Sequence, residues 1–259
     1  MKKRTFALVM IAVMIALTFG VGTCFAASAN STKTVYVISS ISFDTYYDDE
    51  CINTTKFTYK YNDNGLLTSY KDKQGRYGKY KYDGKKLKSS TVYRGSGEAE
   101  KCTYNWKDGK ITKYKETNSG DIYKFKYNKN GKIREVALIQ KDLGDLYYYY
   151  KYNSKKHLTK RTLGIGGTEY TYTYDKSGFL KTANLFDTYK YKNTVKNGRA
   201  TKIVETMPEN PSHKRIISVK YKKMQVPSSY AALVRSQRTH ILINHGYIVL
   251  LEDLPLGSL

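Results

Sequence analysis

Aromatic rings in regular alternation are the residues of this chain best suited to chemistry. Tyr59 and Tyr61, Tyr80 and Tyr82, and Tyr104 and Trp106 each flank a single polar residue. Side chains two apart on a strand share a face, so each pair sets two rings side by side. Such a platform stacks on the apolar faces of sugars or on a peptide, while intervening lysines engage acidic groups. The same rings serve equally well as the core of a sheet. The two roles coexist where rings lie at a groove or an edge.

Other reactive residues fall in less productive patterns. Cys51 and Cys102 remain once an N-terminal segment containing Cys24 is removed. In an oxidising compartment such a pair forms a disulfide or stays as two thiols. A bridge would stabilise the fold by roughly 4 kcal/mol on the loop-entropy model. Both cysteines lie an even number of residues from a nearby tyrosine (Tyr59, Tyr104), which places them on one side of the sheet. No Cys-x-x-Cys or paired-histidine spacing accompanies them, so no metal site is expected. His157, His213, His240 and His245 form no His-Glu-x-x-His, and His240 and His245 fall on opposite faces if extended. Gly164-Ile165-Gly166-Gly167 reads as a connection, and no nucleophile elbow or phosphate loop is present. The acidic run Tyr46-Tyr47-Asp48-Asp49-Glu50 reads as a solvated turn or the partner of a lysine. No catalytic residue and no cofactor are expected.

Charge and the N-terminus narrow the setting. Lys2, Lys3 and Arg4 precede an apolar run from Phe6 to Gly20, and small residues follow, with cleavage after Ala26 or Ala29. That is the pattern of a secretory signal peptide. Losing residues 1–26 removes three basic and no acidic side chains, so the formal charge of +23 becomes +20. Such a field attracts acidic wall polymers, anionic headgroups or nucleic acid. Export and the absence of a recognition motif argue against nucleic acid. Much of the lysine also keeps strand edges from pairing with other chains. No second apolar stretch reaches membrane-spanning length, so no transmembrane segment is expected after cleavage.

The elements that position the rings come from an internal repeat. Tyr59-Lys60-Tyr61 leads into Asn62-Asp63-Asn64-Gly65 and Leu66-Leu67; Phe125-Lys126-Tyr127 into Asn128-Lys129-Asn130-Gly131 and Ile133; Tyr172-Thr173-Tyr174 into Asp175-Lys176-Ser177-Gly178 and Leu180. Variants recur elsewhere, including Tyr150-Lys151-Tyr152, where Lys156 stands in the glycine position. Alternation of tyrosine with threonine or lysine argues strand. Asx-x-x-Gly supplies a turn with a left-handed glycine and closes a bulged antiparallel hairpin. The chain holds 27 tyrosines against 8 phenylalanines. Buried phenols each need a partner, so the tyrosine face is expected to be only partly covered.

The pattern Tyr-x-Tyr-[Asp/Asn]-x-x-Gly-x-[Leu/Ile] resembles the YD repeat of Rhs and teneurin-like extracellular proteins over about residues 57–203. Tyr174 to Leu180 is the nearest match. The resemblance implies β-hairpin repeats in an extracellular setting; the chain is too short for the large closed shells of that family.

These readings combine into one expectation. Residues 1–26 are a signal peptide, 27–34 a linker, and 35–224 an all-β domain. That domain is a series of tandem antiparallel β-hairpins in one large curved or twisted sheet, open or partly closed. Residues 225–259 form a cap: a helix from Pro227-Ser228-Ser229 through YAALVRSQR, then two apolar strands about Asn244-His245-Gly246. The expected function is secreted or cell-surface and non-catalytic, toward glycans, anionic envelope polymer such as cell-wall polysaccharide, or a surface protein. The alternative is a secreted carbohydrate-active hydrolase, which needs two converging carboxylates. An outer-membrane barrel would need a lipophilic strand face, which tyrosine and lysine do not supply.

Overall fold

The repeat folds as its turn residues require. In the computed structural model, which describes residues 31–141 and 143–242, Asn62 closes its own turn. Its Oδ1 accepts from Leu66 N at 3.0 Å and its carbonyl from Gly65 N at 2.8 Å. Gly65 takes φ +78°, a conformation free of steric cost only without a Cβ. Asn128 and Asp175 repeat the arrangement with Lys132 N and Phe179 N.

These turns join sixteen antiparallel strands. They are β1 (Thr32–Tyr47), β2 (Glu50–Tyr61), β3 (Leu67–Lys71), β4 (Tyr77–Asp83), β5 (Lys86–Tyr93), β6 (Glu100–Lys107), β7 (Lys110–Glu116) and β8 (Ile122–Tyr127). They continue as β9 (Ile133–Ile139), β10 (Leu146–Tyr152), β11 (Leu158–Leu163), β12 (Glu169–Tyr174), β13 (Leu180–Asn184), β14 (Thr188–Lys196), β15 (Arg199–Met207) and β16 (Asn210–Pro227). Each pairs with its neighbours in sequence, and β1 pairs with β16 from Thr32↔Pro227 to Tyr47↔His213. The sheet therefore closes into a barrel, where an open or partly closed sheet was expected. The physical reason is edge satisfaction. The first and last strands would each leave a long row of unpaired backbone groups, and closure pairs one row with the other.

Six of the seven Asx/Gly-side hairpins shift register just before their second aromatic residue: at Tyr61, Tyr82, Trp106, Tyr127, Tyr152 and Tyr174. Extra residues on the returning strands form bulges that increase local twist. Threonines there bond back across the hairpin: Thr68 to Lys60 O at 3.2 Å and Thr159 to Lys151 O at 3.2 Å.

The tyrosine side faces inward. One continuous core cluster runs from Ile38 and Ile41 of β1 through Tyr114, Val136 and Tyr172 to Ile217 of β16. The barrel is thus plugged by its own side chains. Lys60, Lys81, Lys124, Lys151 and Lys190 stand exposed on the outer surface, which is unlike the apolar outer band of a membrane barrel. No helix among the described residues is long and apolar enough to cross a membrane.

Element boundaries depart from expectation at both ends. β1 starts at Thr32, so residues 32–34 are strand and not linker, and β16 runs to Pro227, past the expected end of the repeat domain. A 3-10 turn, Ser228–Tyr230, leads into α1 (Ala231–Ile241). Thr239-His240-Ile241-Leu242, expected as strand, continues the helix. Short apolar runs are ambiguous by periodicity, and here Val234, Gln237 and Ile241 fall on one buried helical stripe. The expected signal peptide, residues 27–30 of the linker, and the apolar segment from residue 243 with its Asn244-His245-Gly246 turn lie outside the described residues, as does Asp142.

Candidate functional site

All six rings proposed as a platform pack against the core. Tyr59 is buried, and Tyr61, Tyr80, Tyr104 and Trp106 lie against the main cluster. Tyr82 packs on a second cluster with Leu66, Val226 and Val234. Four of the six spend a hydroxyl or N–H within the fold. Tyr61 Oη donates to Ile38 O at 2.7 Å, Tyr82 Oη to Leu67 O at 2.9 Å, and Trp106 Nε1 to Leu87 O at 2.8 Å. Tyr104 Oη pairs with Ser90 Oγ at 2.7 Å. An open stacking face on these residues is therefore not what the barrel builds.

The same geometry overturns the expectation of a partly covered tyrosine face. The second aromatic of a repeat reaches the carbonyl of the aliphatic residue after the preceding turn. Tyr127 donates to Ile111 O at 2.6 Å, Tyr174 to Leu158 O at 2.8 Å and Tyr221 to Ala200 O at 2.8 Å. Bulging frees carbonyls of the returning strand, and the phenols satisfy them. Tyrosine is the core residue here because it buries a ring and carries a donor at the right distance.

The series breaks in one unit. There the Tyr152 hydroxyl is buried without a hydrogen-bond partner, as is that of Tyr172, the first aromatic of the next unit and 3% exposed, while Tyr174 of that next unit keeps its bond. The break is therefore confined to the Tyr150-Lys151-Tyr152 unit. In the same unit Lys156 occupies the glycine position at φ +65°, a strained choice for a residue with a Cβ. Its neighbour His157 lies on the ring of Tyr174, centroids 4.6 Å apart. Backbone strain of this kind concentrates at functional sites.

These departures surround a cavity of about 460 Å³ between the turn rim and α1. Its floor is Leu158, Tyr172 and Leu180, all buried. Its cations come from three directions: Lys132, Lys155 and Lys156 from hairpin turns, Arg199 from β15, and Arg235 and Arg238 from α1. Among the described residues no Asp or Glu lines it. Arg199 stacks on Tyr36 at 3.7 Å, which uses the face of the guanidinium and leaves its N–H edge available. Burial and then Lys156 hold the Lys132 ammonium below its ordinary pKa. Burial, Lys155 and Lys132 do the same to His157. Burial lifts the Tyr172 phenol to about 12. The site is thus positively charged, partly desolvated and lined by rings, a combination suited to an anion bearing a ring or polyol.

α1 is fixed over this rim by Gln237, whose Oε1 accepts from Leu67 N at 3.1 Å and whose Nε2 donates to Tyr82 Oη at 3.1 Å. Only the spacing of a buried polar residue within the helix could have signalled this. The cavity itself has no sequence signature, because its cations come from β8–β9, β10–β11, β15 and α1.

The two cysteines are unpaired and stand apart in character: Cys51 is exposed and Cys102 buried. The expected common side fails at a register shift between Thr45 and Tyr46, which pair with Asn53 and Cys51. Ile52 is the extra residue, and it turns Cys51 outward. Cys102 lies inside with Glu100 and Glu116, ligand atoms within 4.8 Å of one another; Arg94 approaches Glu100 at 3.5 Å. The acidic run at Asp48-Asp49 is a turn with both residues at positive φ and Lys214 Nζ 2.7 Å from Asp49 Oδ1.

No family model matches the chain, and no curated protein matches it. Among solved structures it is similar to a porin-like protein from Bacteroides uniformis, at 14% identity over 71% of this chain and 96% of that one, TM-score 0.38. A porin-like protein from Bacteroides vulgatus aligns at 9% identity over 71% and 98%, TM-score 0.39. The TcdB2-TccC3 chain without its hypervariable C-terminal region aligns at 15% identity, TM-score 0.34; 71% of this chain spans 11% of that one.

Proposed function

We propose that the protein is an exported, non-catalytic binding barrel for an anionic, hydroxyl-rich envelope polymer or acidic glycan, which it holds in the cavity beneath α1. The observation that carries this reading is the union of six basic side chains, aromatic rings, and a lining without Asp or Glu among the described residues. The cations supply attraction that weakens with salt. The YD-like turn pattern supports an extracellular setting for the repeats, and the lysine-covered exterior adds long-range attraction for the same polymers.

A binding assay on purified cell wall and on soluble acidic polysaccharide, at several salt concentrations, tests the proposal. Retention is expected at low salt, falling as salt rises, and at least tenfold weaker in Arg199→Ala combined with Lys155→Ala. Equal retention by the double variant and the parent would overturn the cavity as the binding site.

A further inference from the structure

We infer that copies of this protein associate head to tail, the Phe186-Asp187 tip of one copy seating in the cationic cavity beneath α1 of the next. The contact draws on the charge and rings of the cavity alone and stands whether or not a polymer also binds there.

The tip belongs to the barrel end opposite the cavity. Successive strands run antiparallel, so alternate connections fall at opposite ends. The turns carrying Lys132, Lys155 and Gly178, with Arg199 beside Gly198, stand at the cavity end. The β9–β10, β11–β12 and β13–β14 loops stand at the other. Each of these neighbouring loops holds out an apolar side chain: Leu143, Ile165 and Phe186 are 80%, 61% and 80% exposed. With Tyr149 of β10 they make four of the seven exposed large hydrophobic residues among those described. Single exposed apolar side chains are ordinary, but a group on adjoining loops marks an interaction surface. The loops are also tied down. Gly164 N donates to Tyr147 O at 2.7 Å, and the Phe186 ring stands edge-on to Tyr170, centroids 5.7 Å apart. Phe186 is thus held outward on a connection of three residues, where Leu185 N donates to Asp187 O at 3.0 Å.

Charge selects the partner. Asp145, Glu169 and Asp187 adjoin the three apolar tips, and Asp48, Asp121 and Glu209 stand in other connections at the same end. Among the basic residues toward that end, Lys160, Arg76 and Arg94 are already paired with Glu169, Asp72 and Glu100. Such a surface repels an anionic bilayer or wall polymer and attracts a basic face. The cavity end of a second copy is a basic face, with Lys132, Lys155, Lys156, Arg199, Arg235 and Arg238, and no Asp or Glu among the described lining residues. Tyr174 and Phe179 in its wall offer edges and faces to a phenyl ring, and the cations surround the neighbouring carboxylate. About 460 Å³ admits one such ring with its carboxylate. Tip and seat are different surfaces, so the contact is heterologous and each assembly keeps a free end of either kind.

Sedimentation velocity at several protein and salt concentrations tests the contact, in reducing buffer so that the exposed Cys51 does not link copies. Mean mass should rise with protein concentration at low salt and return toward that of the single chain as salt screens the charges. Phe186→Ala combined with Asp187→Asn removes the tip, and Lys155→Glu spoils the seat; each should weaken self-association at least tenfold. All three residues are exposed, so neither variant should lower the melting temperature. Mixed together, the two variants should form pairs of one each and nothing larger, because one retains the seat and the other the tip.

A protein that stays single at every concentration in low salt would overturn the inference. So would undiminished association of either variant, or a mixture that fails to pair. Each of these failures leaves polymer binding by the single chain untouched.

Discussion

Tyr127→Phe tests the claim that phenol-to-carbonyl bonds build this core. The substitution removes one hydroxyl and keeps the ring. At pH 7 it deletes a bond of 2.6 Å to Ile111 O, which should cost about 1 kcal/mol. Burial raises the Tyr127 phenol to about 12, against about 10 in an unfolded chain. Because the folded state holds the proton more tightly, the wild-type residue's contribution is complete below pH 10 and lost as pH climbs toward 12. At pH 11 the loss approaches about 1.4 kcal/mol, while phenylalanine loses nothing. The deficit of the variant should therefore vanish or reverse sign between pH 7 and pH 11. Urea unfolding followed by far-ultraviolet circular dichroism at both pH values measures it. Tyr149→Phe, at a residue 43% exposed, should change stability little at pH 7. A deficit for Tyr127→Phe that is absent at pH 7, or unchanged at pH 11, would refute the reasoning.

Three further outcomes follow from the geometry. Lys156→Gly relieves a left-handed backbone and should raise stability by about 1 kcal/mol, seen as a higher melting temperature, while weakening retention on anionic polymer. Gly65→Ala places a Cβ 2.7 Å from Val226 Cγ1 and 2.9 Å from Val234 Cγ2 at φ +78°; it should cost about 2 kcal/mol or more in thermal melts. In protein beginning at residue 27, a thiol reagent should modify Cys51 at once and Cys102 only on unfolding. Burial and the carboxylates of Glu100 and Glu116 lift the Cys102 thiol to about 12.

The local part of this architecture could be read from the residues themselves. Asn62-Asp63-Asn64-Gly65 specifies a turn through its own side chain and glycine, and Phe57-Thr58-Tyr59-Lys60-Tyr61 specifies a strand by alternation. Closure could not be read this way, since it depends on Thr32 meeting Pro227 across the whole chain. The Cys51 side failed for a related reason: parity counts only until a bulge intervenes, and Ile52 gives no sign of being one. The tyrosine argument erred in its acceptor. Phenols were expected to look to water, whereas carbonyls displaced by the bulges reach them first. Lys156 in a glycine position was visible in the repeat, but its link to α1 required the helix to fold back over the rim.

The pairing of β1 with β16 also sets an order of events during folding. Neighbouring ribbons can form as soon as each turn is made, whereas the longest seam must await the last strand and bears the greatest loop-closure cost. Until residue 227 is available, the edge of β1 stays exposed to any stray strand. A chain truncated just before that point would keep its hairpins and lose its ring, and would be the form most prone to join with copies of itself.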